Sequence, residues 1–411
     1  MKNFILSFIL CLPFIFIAQT TKQSNQYSKI KDIEAKKIAS LIKPVIELGS
    51  KQYDMVKAEG RLAHFQVVQD NGKIISIEKT TFTPTGKVLT STLTPCDIVP
   101  PGTVSSFPAT VDDQTTPLIN LPFTFCFYGN NYTQVRYSSN GNIQFPPTNN
   151  AAFSSTGFPA PNDIMIAPFW ADLDNRGTGT FSYDIYATYA VFTWGSVGYY
   201  NSKTDKINDF QMVITDGLDP ILPPGKNVGF YYNTMQWTTG DASSGVNGFP
   251  NPTITPAIPA TVGANAGNGI DYFLIGRFGQ AGSAYDGPLG ADDGVSWLNG
   301  KRFYFNACPP VGTNNEPIPT LIGYCDTLKV CGNDTLYVKN TFIAPEVSQS
   351  VTVTATAPSL GASFTYSVLP NTNSTDIYMI IDGSTAPAGY HLVTMTATDN
   401  GVPVQTSTQN Y

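Results

Sequence analysis

YAVFTWGSVGYY (residues 189–200) is the first of three segments that decide the fold, and NDFQMVITDG (208–217) and NVGFYYNTMQW (227–237) follow it. All three are rich in aromatic and β-branched residues, which favour strands. Their short connections favour antiparallel pairing, because a parallel sheet needs long crossovers. Alternation along the first two segments places one set of apolar side chains on a common face, which we expect to form core: Phe192, Trp194, Phe210, Met212 and Ile214.

The composition of the whole chain extends this pattern. Among 411 residues, 35 are Gly, 31 are Pro and 42% are hydrophobic, which favours many short strands and turns over long helices. The chain has two histidines, His64 and His391, and neither has the spacing of a metal ligand. A histidine-built zinc site or a Ser-His-Asp triad would therefore need an unusual arrangement.

The charge distribution argues against nucleic-acid binding. The net charge is −7, and residues 96–411 carry 10 basic against 23 acidic residues. A nucleic-acid binder needs a concentrated basic face to neutralise phosphates. We therefore expect no nucleic-acid partner.

The N-terminus has the pattern of a secretory signal peptide over residues 1–18, with Lys2 before an apolar run that ends near Ala18. This run is too short for a stable membrane span, and no later segment is a candidate. Residues 19–95 form a separate segment, with helical spacing of apolar residues over 28–59 and two alternating runs around Asn71-Gly72 that predict a hairpin. We expect a secreted or surface-displayed protein with a short N-terminal helix and hairpin.

Five cysteines follow the signal sequence, and export permits disulfides between them: Cys96, Cys126, Cys308, Cys325 and Cys331. Cys96 and Cys308 bracket the central strand-rich region. We predict a bridge between this pair, and the odd number leaves at least one cysteine outside any intrachain pair.

The central region carries motifs that closely resemble the NIDO (nidogen-like) domain, an extracellular module. The matching stretches occur in order along residues 96–308: IMIAPFWADLDNRGTGTFSYDIY from Ile164, AVFTWGSVGYYNSKTDKINDFQMVITDG from Ala190, VGFYYNTMQWTTGDASSGVNGF from Val228 and NAGNGIDYF from Asn265. The resemblance implies an antiparallel β-sandwich-type domain with an adhesion or matrix-associated role and no known catalytic activity.

A second β region follows a Pro-rich linker at residues 309–324, which we expect to make few contacts. Residues 325–411 contain short alternating strands at sandwich-like intervals, and TMTATDNGVPVQTST (394–408) resembles the end of an immunoglobulin-like or cadherin-like repeat. That resemblance predicts further strand beyond Tyr411. The signal sequence and tandem β modules also resemble large surface adhesins of the Bacteroidetes.

The acidic residues suggest calcium rather than catalysis. The central region contains 16 Asp and no Glu, although glycosidases commonly use Glu. Asp172 and Asp174 alternate in WADLDNRGTG, so both carboxylates can point to one side and bind a structural calcium ion; the alternative is a turn in which they pair with local amides or with Arg176. Asp399 corresponds, by the cadherin resemblance, to an inter-repeat calcium site. No other cofactor is predicted.

The sequence thus predicts a mainly β, non-catalytic adhesion or matrix-interaction protein. Its partners would be surface or matrix proteins or glycans. The alternative is a carbohydrate-binding accessory region of a larger exported enzyme, which an exposed planar trio of Trp or Tyr would favour.

Overall fold

The computed structural model describes residues 64–68, 74–78, 99–107, 110–254, 258–320, 328–332 and 334–411. Within these ranges the chain forms strands and three short 3-10 helices, with no α-helix, so the mainly β prediction is confirmed. The predicted signal peptide and N-terminal helix lie outside the described residues. None of the helices in the described ranges is long and apolar enough to cross a membrane.

The N-terminal hairpin is present as predicted. Its strands, β1 (His64–Val68) and β2 (Ile74–Glu78), pair antiparallel, with Val68 opposite Ile74.

The central domain contains sixteen strands, which are, in chain order, β3 (Val104–Ser105), β4 (Ile119–Phe127), β5 (Asn130–Ser138), β6 (Asn142–Gln144), β7 (Ile164–Trp170), β8 (Leu173–Asp174), β9 (Thr180–Ile185), β10 (Tyr189–Tyr199), β11 (Asn208–Thr215), β12 (Val228–Met235), β13 (Gly245–Val246), β14 (Phe249–Pro250), β15 (Ala260–Ala266), β16 (Tyr272–Gln280), β17 (Asp293–Gly294) and β18 (Arg302–Phe305). Two of the 3-10 helices lie here, at Asp241–Ser243 and Val295–Leu298.

These strands build two seven-stranded sheets. The first has the order β18-β12-β11-β10-β9-β3, with β8 paired to β10, and the second has the order β17-β16-β15-β7-β6-β5-β4. The three aromatic segments within residues 189–237 form β10, β11 and β12, and they pair antiparallel with Trp194 opposite Phe210. The predicted pairing is therefore confirmed.

An aromatic core joins the two sheets. The ring of Trp194 in the first sheet lies 4.6 Å from that of Tyr137 in the second, and Phe210 lies 5.7 Å from Phe169 (centroid distances). Phe192, Trp194 and the predicted residues of β11 are buried, as expected from their shared face. Because apolar burial is the main favourable term in folding, this face determines which side of each strand points inward.

The disulfide of the central domain differs from the prediction. Cys308 pairs with Cys126, and their Cα atoms lie 4.9 Å apart; the predicted partner, Cys96, lies outside the described residues. Backbone bonds run beside the bridge, from Tyr128 N to the Ala307 oxygen and from Gly129 N to the Cys308 oxygen, both at 2.8 Å. Cys96 brackets the region in sequence, but β4 is the strand that lies beside Cys308 in space. The bridge links the second sheet to the end of the first.

The C-terminal domain is a smaller pair of sheets. Its strands are β19 (Ile318–Pro319), β20 (Thr335–Ile343), β21 (Val351–Thr356), β22 (Phe364–Pro370), β23 (Ser374–Asp382), β24 (Thr394–Asp399) and β25 (Thr406–Asn410), with a 3-10 helix at Gly361–Ser363. They form the sheets β19-β20-β23-β22 and β21-β24-β25. Strict alternation of buried and exposed residues in β21 shows a sheet with one face on the core.

The Pro-rich segment makes more contacts than expected. Gly312 N donates to Asp271 Oδ1 at 2.8 Å, and Glu316 pairs with Lys226, so the segment is tied to the central domain. The segment thus donates one backbone hydrogen bond to the central domain and accepts one charged hydrogen bond from it. Proline content predicts extended backbone, but it does not determine whether that backbone is solvated or packed.

The same segment is also tied to the C-terminal domain. Asn314 Nδ2 donates to both carboxylate oxygens of Asp399 at 3.0 Å, and Asn315 Nδ2 donates to Glu346 Oε1 at 2.6 Å. Strand β19 lies within it and pairs with β20. The segment thus contacts both domains.

Candidate metal centre

Three carboxylates come together in the central domain. Asp112 and Asp113 lie in the loop before β4, and Asp172 lies between β7 and β8. One oxygen from each carboxylate lies within 4.8 Å of the others. No other group of three acidic, histidine or cysteine ligands comes together in the described part of the chain.

The loop that carries Asp112 and Asp113 is held by amide side chains. Val111 N donates to Asn175 Oδ1 at 2.7 Å, and Asn140 Nδ2 donates to Asp113 Oδ1 at 2.8 Å. Asn140 Oδ1 also accepts the Leu173 N–H at 3.2 Å. Asn140 therefore fixes the loop against the turn that contains Asp172.

Asp172 is the most buried member of the group. Its side chain belongs to a residue that is 1% exposed, and neither of its carboxylate oxygens has a hydrogen-bond partner. Gly240 packs against this carboxylate so closely that a Cβ atom at that position would overlap Oδ2. A buried carboxylate without a partner carries a large desolvation cost, so it needs a proton or a cation nearby.

The electrostatics of the group reflect this burial. Burial, followed by repulsion from Asp113, Asp112 and Asp174, raises the pKa of Asp172 to about 8. The nearby Ser243 hydroxyl opposes this rise in pKa, although its geometry falls short of a hydrogen bond to either oxygen. Burial, followed by repulsion from Asp113 and Asp174, likewise raises the pKa of Asp112 to about 6. The group therefore holds negative charge poorly on its own.

Asp174 lies beside the group but is already paired. Arg176 donates from Nε to Oδ1 at 2.9 Å and from Nη2 to Oδ2 at 2.6 Å, and Ser202 N donates to Oδ2 at 2.8 Å. Burial raises the pKa of Asp174, but these hydrogen bonds outweigh it and hold the pKa below its ordinary value. Arg176 Nη2 also lies 2.7 Å from Asp112 Oδ2. One guanidinium thus links Asp174 to the edge of the three-carboxylate group.

The structure brings together only part of the predicted set. Asp172 lies in the group. Asp174 instead pairs with Arg176, which was the predicted alternative to calcium binding. Asp112 and Asp113 were missed, because the acidic doublet in VDD (111–113) carries no ligand spacing and becomes adjacent to Asp172 only in the folded chain.

Asp399 lies apart from this group, at the end of β24. It is 4% exposed, and its Oδ1 accepts from Asn314 Nδ2, Gly401 N and Gln405 N, each at 3.0 Å. These bonds close the turn after β24 and hold Asn314. Calcium at Asp399 stays a prediction.

Two comparisons with known proteins bear on this domain. Residues 85–267 match the family described as NIDO related. Alpha-tectorin of Gallus gallus is 31% identical over 194 residues, which cover 40% of this chain and 9% of that protein. Alpha-tectorin of Homo sapiens and of Mus musculus are each 30% identical over 194 residues, covering 40% of this chain and 8% of those proteins. The chain thus matches less than a tenth of the length of these relatives. The matched region contains all three carboxylates, and together the two comparisons support a NIDO domain in the central part of the chain.

Proposed function

We propose that the chain is a non-catalytic extracellular or cell-surface adhesion protein that binds through its NIDO-like domain. The observation that carries this proposal is the match of residues 85–267 to the NIDO-related family. The C-terminal sandwich would be an immunoglobulin-like or cadherin-like spacer, and the wider likeness to Bacteroidetes surface adhesins remains part of the proposal. Export by the predicted signal peptide would place the chain outside the cell.

A surface on the first sheet suits protein contact. Tyr186, in the connection between β9 and β10, stacks on Tyr189 with ring centroids 4.3 Å apart. Leu218, in the connection between β11 and β12, is 88% exposed. These connections meet at one end of the sheet, where Thr188 donates to Asp219. We name Tyr186, Tyr189 and Leu218 the tyrosine end; Tyr186 and Leu218 are exposed while Tyr189 is half-buried, and exposed aromatic side chains are enriched at protein interfaces.

The tryptophans favour adhesion over carbohydrate binding. All four are buried, at 6% exposure or less: Trp170, Trp194, Trp237 and Trp297. They therefore cannot form an exposed stacking platform for sugar rings, and only tyrosines could do so. The glycan array tests whether the exposed tyrosines bind sugars.

The test uses residues 19–411, immobilised and exposed to decellularised matrix and to a glycan array. We expect retention of matrix proteins that falls at least about tenfold in the double variant Tyr186→Ala, Leu218→Ser, because apolar anchors dominate interface energies. Tyr390→Ala, which changes a residue 93% exposed in the C-terminal domain, is the matched control and should bind normally.

Other outcomes would contradict the proposal. Binding to glycans alone would favour the carbohydrate-binding alternative. Turnover of a glycan or peptide that disappears on changing a single Asp would show an enzyme. Loss of matrix binding in Tyr390→Ala but not in the double variant would move the binding surface to the C-terminal domain.

A further inference from the structure

The group of Asp112, Asp113 and Asp172 concentrates carboxylates around a buried side chain. Three carboxylates converge, and the deepest of them has no hydrogen-bond partner for either oxygen while its residue is 1% exposed. We propose that Asp112, Asp113 and Asp172 bind one hard divalent cation, with Ca²⁺ the fitting ion for an extracellular protein. Asp174, which the sequence predicted as a ligand, would instead remain paired with Arg176 beside the site.

The separation of the oxygens fits a single calcium ion. Ca²⁺ binds oxygen ligands at about 2.3–2.6 Å, so two oxygens on opposite sides of one ion lie up to about 5 Å apart. The three carboxylates offer oxygens within 4.8 Å of one another, inside that limit. Carboxylate oxygens are also the ligands that this hard ion prefers.

Enough oxygens remain free to bind it. Asp112 gives Oδ2 to Arg176, but its buried Oδ1 has no partner. Asp113 gives Oδ1 to Asn140, which leaves Oδ2, and Asp172 keeps both oxygens. The group therefore presents four oxygens that described hydrogen bonds leave unused.

The local charge also favours a divalent ion. The three carboxylates and Asp174 are opposed by the single guanidinium of Arg176. A divalent cation would cancel most of the remaining negative charge. It would also fasten the loop before β4 to the turn between β7 and β8, beside Gly240.

Asp293 provides a matched control. It is 2% exposed and its Oδ2 has no partner, so it shares the burial of Asp172. It lies in no group of three potential ligands within the described ranges. Comparing Asp172→Asn with Asp293→Asn therefore distinguishes the loss of a Ca²⁺ ligand from the general effect of removing a buried carboxylate.

The experiment is calorimetric titration of chelator-treated residues 19–411 with CaCl₂ and, separately, MgCl₂. We expect one Ca²⁺ per chain with a dissociation constant on the order of 10⁻⁴–10⁻³ M, the range of extracellular modules, and weaker binding of Mg²⁺. Asp113→Asn and Asp172→Asn should each weaken Ca²⁺ binding at least about tenfold, because each removes one anionic ligand. Asp293→Asn should leave it within about twofold.

The proposal fails if the folded wild-type chain binds no Ca²⁺, or if Asp293→Asn weakens binding as much as Asp172→Asn does. It also fails if both Asp113→Asn and Asp172→Asn bind Ca²⁺ normally. Far-ultraviolet circular dichroism checks that each variant is folded. Should Asp172→Asn not fold, Asp113→Asn decides, since Asp113 is only partly buried.

Discussion

Removing cations should make the stability of this protein fall as pH rises, and Asp172→Asn should remove much of that fall. The unfolded chain releases the Asp172 proton near its ordinary pKa of 3.8, whereas the folded chain keeps it until about pH 8. Between these values the folded state binds more protons, so the free energy of unfolding decreases with rising pH. The stabilising contribution of this group is therefore present below about pH 4 and lost by about pH 8.

The size of the effect follows from the width of that window. Each pH unit is worth about 1.4 kcal/mol, so a window of about four units gives an upper bound of about 5 kcal/mol. Relaxation and water entry reduce the cost of burying a charge, and we expect about 2–5 kcal/mol. The groups that face Asp172 include Asp112, Asp113 and Asp174, with Arg176 beside them, and Asp112 adds to the fall in the lower part of the window.

Guanidinium unfolding in the presence of a chelator, followed by the fluorescence of the buried tryptophans, measures this dependence at pH 4.5, 6 and 8. Asp172→Asn should match wild type near pH 4.5 and exceed its stability at pH 8. Burial also raises the pKa of Asp293 to about 8, so Asp293 contributes to the pH dependence of both proteins. The difference between wild type and Asp172→Asn in how the free energy of unfolding changes with pH therefore isolates Asp172. Equal slopes in wild type and variant would refute the reasoning, as would wild-type stability that rises from pH 5 to 8.

Three further predictions concern stability and connections between domains. Replacing Cys126 and Cys308 by Ala should cost about 3–5 kcal/mol, because the bridge closes a loop with a sequence separation of 182 residues; urea unfolding of the oxidised and variant proteins measures it. Gly240→Ala should lower the melting temperature and abolish Ca²⁺ binding, since the new methyl group would displace the buried site carboxylate; unchanged titration and melting would contradict this. Asn314→Ala should speed proteolytic cleavage within residues 309–320, observed by mass spectrometry, because it removes the hydrogen bonds to Asp399 that help hold the segment; an unchanged cleavage rate would show that these hydrogen bonds do not hold it.

The strand pattern was predictable from the sequence where one face is buried. In β10 and β11, Trp194 and Phe210 lie on the face that packs against the second sheet, and a shift of one residue would turn this apolar set away from the core between the sheets. The hairpin of β1 and β2 was predictable for a similar local reason, since Asn-Gly favours a tight turn. Such signals lie within a few residues of one another.

The parts that were missed depend on neighbours that are distant in the chain. Asp112 and Asp172 come together through the packing of a loop against the turn after β7, and no spacing in the sequence records that approach. Cys126 reaches Cys308 because β4 lies beside the last residues of the domain. The hydrogen bonds from the Asn314 side chain to Asp399 likewise depend on the position of the C-terminal domain.

The bridge between Cys126 and Cys308 has a mechanical consequence under the proposed adhesion role. Tension applied along the chain passes from β4 straight to the segment that leads into the C-terminal domain, and bypasses the residues between the two cysteines. At about 3.5 Å per extended residue, the 182-residue separation corresponds to roughly 600 Å of contour length that cannot be pulled out while the bridge is intact. Oxidised protein would thus stay short under load, and reduction would release that length.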